Sequence, residues 1–550
     1  MRNQLSFLRA REKDSRPLLA WKSERIVTER RSKLLVVAAV WLSFLAVSLV
    51  AAPIPAVNEP HYLAMARHYW DSSWCAGDQF LQSFPAHRVF YQTFGWLTLW
   101  IDLAIVAFLG RAVCLAMLAA SWTALATRLQ RDDSGSPSPA ITAILSAWLF
   151  VGLQAIGNLS GEWLIGGFES KVVTYACVFW AVTAMLDRRI VAAAVCSGVA
   201  ISFHPIVGLW HVTAMGIAEI SNFKFQISNA AGVRRWLLAT ALLAVTALPG
   251  LLPAMQMLDA GNARTAFAAN FIQVHYRLKH HLDPMDFDRV NCIGYGSTAI
   301  LWLAVVIVLK RWQKLAQPDR WWARYVLAAA LFAIAGWIVG LGPRPIQFMP
   351  GYQWRIALLK FYPFRLFDLL LPIAVALLMP RLVKQRWLWL VGIIGLCWAL
   401  ISAHAFPPSN QLPSAVRADW RDACRWVAAN TPADALFHTP DEAEAFKWFA
   451  QRGEFVNRKD CPQDAAGIVE WNDRLRQITK WSEASFAGDQ TYSAEELRDL
   501  VRQSPGVRYA IVRAVVRYDA DLLYANNSYK ILRLPEPVLP SGRKPNAESR

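Results

Sequence analysis

The sequence is poor in the residues that build a metal site or a disulfide scaffold. Its 550 residues hold eight cysteines, and no set of them shows metal-ligand spacing, so zinc-ribbon and similar chemistry has no basis here. Cys114, Cys177, Cys196, Cys292 and Cys397 lie in or beside apolar runs, where cysteine serves as a small hydrophobe. Cys75 has no nearby partner in sequence, and Cys424 and Cys461 could pair only if their polar tail lies outside the cytoplasm. A continuous basic tract is also missing, despite a formal net charge of +17. Lys and Arg come instead in short clusters between apolar runs: Arg30, Arg31 and Lys33; Arg188 and Arg189; Arg234 and Arg235; Lys310, Arg311 and Lys314; Arg381, Lys384 and Arg386. Loops kept on the cytoplasmic side of a membrane have this pattern, and it excludes nucleic acid as a partner. Nor is there a cleavable signal peptide. The basic region before Leu34 is too long, and Pro53 would follow a cut after "VAA", so Leu34–Ala52 reads as an uncleaved anchor.

What the chain does have is apolar length. It is 55% hydrophobic and holds 26 tryptophans, well beyond a soluble domain of ordinary composition. Leu34–Ala52, Trp236–Met255 and Trp387–His404 approach or pass the roughly 20 apolar residues that cross a bilayer. With the N-terminus inside, the chain threads through about eleven spans. Phe94–Leu129 divides into an interfacial helix with Trp96 and Trp100 and a span over 104–126. Between Arg189 and Arg234 the number of crossings must be even, and His204–Pro205 interrupts the apolar pattern, so two short helices meeting at His204 are predicted. Residues 258–290 are predicted as an outer loop. After His404 the pattern changes to alternating short strands and helices, the mark of a small α/β domain. The fold class is therefore mainly α: a polytopic helical bundle followed by a small α/β domain. The expected divisions are a cytoplasmic basic segment 1–33, a transmembrane unit 34–404, an extracytoplasmic domain 405–536 and a disordered tail 537–550.

This threading gathers the ionisable residues on the outer face. Glu59, Asp78 and His87 follow the first span, Glu162, Glu169 and Lys171 lie at the second outer loop, and His204 sits at a buried turn. "QVHYRLKHHLDPMDF" adds His275, Arg277, His280, His281 and Asp283, and "KFYPFRLFDLL" adds Arg365 and Asp368. Charged groups at the mouth of a membrane bundle are costly and mark candidate sites. Glu169 and Lys171, two apart, cannot face each other along one helix, so each needs a partner elsewhere. Arg365 and Asp368, at i and i+3, read as an ion pair, with Arg365 also able to offer its fork to a phosphate. Adjacent His280 and His281 are expected to diverge, which disfavours a shared metal.

"NEPHY", "GDQF", "HRVFY", "FESKVVTYA", "ISFHPIVGLW", "RLKHHLDP" and "FYPFRLFDLLLP" together resemble a largely uncharacterised bacterial group of GT-C-like polytopic membrane glycosyltransferases. The resemblance implies an enzyme of the bacterial cytoplasmic membrane, with its site on the outer face. It implies a polyprenyl-phosphate-linked sugar as donor, the bilayer as a partner, and inverting transfer of a hexose or pentose to a glycan, lipid or protein acceptor. It makes Glu59 with Asp78 the counterpart of the usual acidic pair, Glu59 being the expected general base. The outer-face clustering, apart from the resemblance, offers His87, Glu169, Lys171, His204, Arg277, His280, His281 and Arg365 as substrate- and phosphate-binding candidates. The familiar enzymes often carry adjacent acids, whereas Asn58 precedes Glu59 here. The cofactor is thus undetermined, a divalent cation being the candidate. A transporter or flippase, and a non-enzymatic envelope assembly protein, are the competing expectations.

Overall fold

The computed structural model describes residues 30–56, 58–130, 138–226, 229–405, 412–440, 445–489 and 491–536. The basic segment before residue 30, most of the "RLQRDDSGSPSPA" loop and the tail 537–550 lie outside the described residues. Among the described residues six helices are long and apolar enough to cross a membrane: Arg30–Ala51, Leu103–Leu129, Ala230–Gln256, Arg289–Arg311, Gln317–Gly340 and Gln385–His404. Polar residues punctuate them. Asp102, Asn229 and Asp288 each cap the helix that follows by accepting a hydrogen bond from a free backbone N–H of its first turn.

Shorter apolar helices fill the remaining expected spans: Pro139–Gln154, Ser170–Leu186, Ile190–Phe203, Pro205–Gln226 and Arg365–Leu378. Ser170–Leu186 and Arg365–Leu378 are buried almost throughout, whereas most of the long helices expose an apolar face such as Ile293, Ile300 and Ile307. The long helices thus form the lipid-facing rim around a core of short ones. Trp122 anchors that core, meeting Phe44, Phe150 and Phe179 at ring separations of 5.9, 5.2 and 6.0 Å. The chain is a multi-pass membrane protein.

The break at His204 forms as predicted. Ser197 and His211, equally far from it on either side, are hydrogen-bonded at 3.1 Å, so Ile190–Phe203 and Pro205–Gln226 run antiparallel. This hairpin leans on Ala230–Gln256, where Gly250 lets the two backbones touch: a Cβ there would lie 2.2 Å from the carbonyl oxygen of Ser202. Trp96 and Trp100 are exposed ahead of the Leu103–Leu129 helix, as an interfacial segment requires. Residues 258–290, predicted as an outer loop, connect two long helices and are themselves largely helical, with Ala263–Ile272, a π-turn at Gln273–Arg277 and Lys279–Leu282. The reason is tertiary: Ala269 and Ile272 bury against Ile468, Trp471 and Leu475 of the C-terminal domain.

That domain carries a five-stranded sheet in the order Gly453–Glu454, Leu436–His438, Val507–Arg513, Tyr529–Arg533, Asp521–Ala525. The first three strands are parallel and the last two add antiparallel. Helix Ser414–Asn430 covers one face through Trp420, Cys424 and Val427. Cys424 and Cys461 are both free thiols, so the tail carries no disulfide between them. Trp448 and Trp471 are buried, as core aromatics should be.

Because Gly250 sets the distance between the His204 hairpin and its neighbour, Gly250→Val should cost about 1–3 kcal/mol by overpacking and displace His204. Thermal unfolding of the detergent-solubilised variant checks this; a transition unchanged from wild type would refute it.

A candidate active site at the loop end of the bundle

The residues after the first span fold into a helix, Glu59–Trp70, with Pro60 in its first turn. Glu59 does not face open space. Its two oxygens receive Nε and Nη2 of Arg111, each at 2.6 Å, and the backbone N–H groups of Phe168 and Ala56, each at 2.7 Å. Both side chains are fully enclosed. The expected general base is therefore a strut behind the site wall, with neither free lone pairs nor access to a proton to remove. Arg111 sits among apolar residues in the first half of the Leu103–Leu129 helix, and a charge there demands a buried partner. Asp78 is likewise occupied. It caps the turn Gln79–Gln82 through the N–H of Leu81, accepts the N–H of Glu454 at 2.9 Å, and lies 3.1 Å from Lys447. Asp78 clasps the C-terminal domain to the first loop rather than entering the site.

The other expected residues do converge. A cavity of about 560 Å³ is lined by His87, Glu169, Lys171, His204, Arg277, His280, His281 and Arg365, together with Asn58, His61, Tyr62, Glu162, Lys360 and Lys459. Its inner edge is a row of alternating charges. Asn58 donates to Glu169 at 3.0 Å, and Lys171 lies 3.6 Å from Glu162 but also 3.4 Å from Glu169, against the expectation that these two would not meet: Glu169 is the extended cap before the Ser170–Leu186 helix, so helical spacing does not keep them apart. Arg365 then reaches Glu162 at 3.2 Å through Nε and donates from Nη1 to His204 Nε2 at 3.2 Å. That bond places the proton of a neutral His204 on Nδ1, a buried atom with no hydrogen-bond partner among the described residues. Lys171 also stands 3.5 Å above the Trp163 ring, and Arg365 4.0 Å above that of Tyr362.

The predicted Arg365–Asp368 pair is not formed. Asp368 instead accepts the N–H groups of Leu159, Ser160 and Glu162 and the Ser160 hydroxyl, fixing the loop that presents Glu162. The unsatisfied N–H groups of a Gly-rich loop outcompete a neighbouring guanidinium for this carboxylate. Burial pushes the Glu162 carboxyl up, but Arg365 and Lys171 hold it below its ordinary range; for Glu169 burial prevails and its pKa is raised. His280 and His281 do not diverge: their rings lie 4.1 Å apart, and His281 Nδ1 bonds the carbonyl of Ser160. Among the described residues no group of three or more His, Cys, Asp or Glu is arranged to hold a metal ion. Glu162 shares the outer-loop cluster expected from the sequence, whereas His61 and Lys459 reach this wall only through the fold.

Comparisons with known proteins add a little. A model for a domain of unknown function, DUF6798, matches residues 418–478. No curated protein matches the chain. Among solved structures, ArnT from Cupriavidus metallidurans bound to undecaprenyl phosphate is similar at 13% identity and TM-score 0.36, covering 91% of this chain and 97% of that one. The archaeal oligosaccharyltransferase AglB from Archaeoglobus fulgidus, in complex with an inhibitory peptide and a dolichol-phosphate, is similar at 10% identity and TM-score 0.39, covering 88% of this chain and 70% of that one. Scores of this size carry no functional argument, which has to come from the cavity.

Two outcomes follow from the bonding at this site. Glu59→Gln leaves Arg111 buried without its counter-charge and should cost about 3–5 kcal/mol, while the apolar double variant Glu59→Leu/Arg111→Met should recover much of it; unfolding in detergent measures both. Burial also lowers His87 to about 3 and His281 to about 4, below the roughly 6.5 of an unfolded chain. The unfolded state therefore binds more protons once pH drops under about 6.5, and stability should decline from there toward pH 4, by up to about 1.4 kcal/mol per pH unit for each ring. A flat unfolding profile between pH 7 and 5 would contradict this.

Proposed function

We propose that the chain is a membrane glycosyltransferase that moves a sugar from a polyprenyl-phosphate donor to an acceptor at the outer face of the cytoplasmic membrane. The observation that carries this reading is the mixed lining of the cavity. Leu209 and, from the Ala230–Gln256 helix, Leu251 and Met255 line it together with Arg365, Lys171, Arg277 and Lys360, and both helices expose apolar residues. An amphipathic donor has the matching parts: a prenyl chain for the apolar residues and a phosphate for the cations. The motif blocks that resemble GT-C enzymes contribute these same residues, with Lys171 in "FESKVVTYA", His204 in "ISFHPIVGLW" and Arg365 in "FYPFRLFDLLLP".

In this reading the phosphate sits between Arg365 and Lys171, and His204 Nδ1–H supplies a third donor. Positive charge fixed in place before the reaction stabilises the leaving phosphate as the sugar–phosphate bond breaks. Glu162, held between the two cations, keeps them aligned and limits their excess charge. Glu169, steadied by Asn58, is free to accept hydrogen bonds from sugar hydroxyls. Displacement by an acceptor oxygen from the opposite side inverts the sugar. The N-terminus inside and the C-terminal domain outside follow from the placement of the basic clusters.

The test uses the full chain in nanodiscs with radiolabelled undecaprenyl-phosphate hexoses and pentoses, plus envelope extract as acceptor, and follows release of undecaprenyl phosphate. Wild type should consume at least one donor, and Arg365→Lys, which keeps charge but loses the fork, should slow it about 10²–10³-fold. Failure to consume any donor would refute the transferase reading.

A further inference from the structure

We propose that the C-terminal domain completes the active site by supplying Asp460 to His61, and that this pair accepts the proton of the attacking hydroxyl; the proposal rests on the transferase reading. His61 stands two residues after Glu59, at a helix start held by the Arg111 clamp. Its imidazole lines the cavity, and its Nδ1 lies 3.0 Å from Oδ1 of Asp460. Asp460 belongs to the loop "NRKDCPQD", whose Lys459, Cys461 and Pro462 line the same cavity. Arg277 secures this loop by donating to the carbonyl of Lys459 at 2.8 Å. A carboxylate on Nδ1 keeps the proton of a neutral imidazole there and leaves the lone pair on Nε2. Among the described residues no group hydrogen-bonds to that Nε2.

The charge behind the pair has the right sign. Lys447, buried, meets Asp460 at 2.6 Å, Glu454 at 2.6 Å and Asp78 at 3.1 Å. One cation facing three carboxylates leaves this cluster short of positive charge, even with one carboxyl protonated. An imidazolium forming beside Asp460 supplies that charge, so the cluster favours His61 after proton transfer rather than before it. Burial outweighs the opposing hydrogen bond and charge of Asp460 and, with the charges of Lys459 and Arg277, holds the resting ring below its ordinary pKa. Among carboxylates near the cavity, Glu162 is committed to Arg365 and Lys171, Glu169 has one oxygen on Asn58 and the other beside Lys171, and Glu59 is sealed off.

In the step itself the acceptor oxygen forms a bond to the anomeric carbon while the bond from that carbon to the phosphate oxygen breaks. Its electron pair leaves with the phosphate onto Arg365 and Lys171. The acceptor's proton passes to His61 Nε2 and is later released to water. The C-terminal domain thereby acts within the reaction and not only as an acceptor platform.

The nanodisc assay with undecaprenyl-phosphate sugars tests this. His61→Ala should lower kcat about 10²–10⁴-fold with donor KM unchanged, and added imidazole should restore part of the rate. Asp460→Asn, which keeps the shape of the contact but removes its charge, should lower kcat without shifting donor KM. Wild type that consumes donor alongside a His61→Ala variant with undiminished kcat would overturn the proposal while leaving the transferase reading intact. A loss that imidazole does not restore would also overturn it. Inactive wild type would remove both.

Discussion

The Glu59–Arg111 pair is the constraint on which the site depends. A guanidinium inside an apolar helix is tolerable only when its charge and its donors are met at once. Glu59 meets them, and the N–H groups of Phe168 and Ala56 fill its remaining acceptor capacity. The first loop is therefore pinned to two elements of the bundle at a single residue. The neighbours of that residue are then presented in fixed directions: Asn58, one before, reaches Glu169, and His61, two after, reaches Asp460. The acid that stands out in "NEPHY" holds the frame in which its neighbours work.

Two further charge systems build on that frame, and each joins segments far apart in sequence. At the cavity, Glu169, Lys171, Glu162, Arg365 and His204 alternate so that no cation lacks an acid within reach, yet the row still offers two cationic heads and an unpartnered imidazole nitrogen. Beyond it, Lys447 draws Asp78 of the first loop together with Glu454 and Asp460 of the C-terminal domain. Domain docking and site assembly thus share one buried cation. Loss of Lys447 would release the loop that carries Asp460 as well as the domain itself.

Much of this was legible in the sequence, for identifiable reasons. Apolar runs and basic clusters define spans because hydrocarbon and surface charge act on composition directly, and Pro205 marks the hairpin because proline restricts the residue before it. The convergence of Lys171, His204, Arg277, His281 and Arg365 followed from placing their loops at the same end of the bundle. The role of Glu59 was not legible. It and Glu169 are both acids near a helix start, and they differ only in their partners, Arg111 for one and Asn58 with Lys171 for the other. Neither partnership has a sequence period. Asp368 misled for a related reason: its spacing from Arg365 is right for a pair, but the 159–162 loop that claims it lies some two hundred residues away. His61 gained significance only once Asp460 was seen beside it.

The most direct measurement is a structure of the chain in a nanodisc with undecaprenyl phosphate. We expect the phosphate within hydrogen-bonding distance of Arg365 and Lys171, and the prenyl chain against Leu251 and Met255. A phosphate bound elsewhere on the protein, or a cavity that excludes the lipid at saturating concentration, would contradict the proposed donor site.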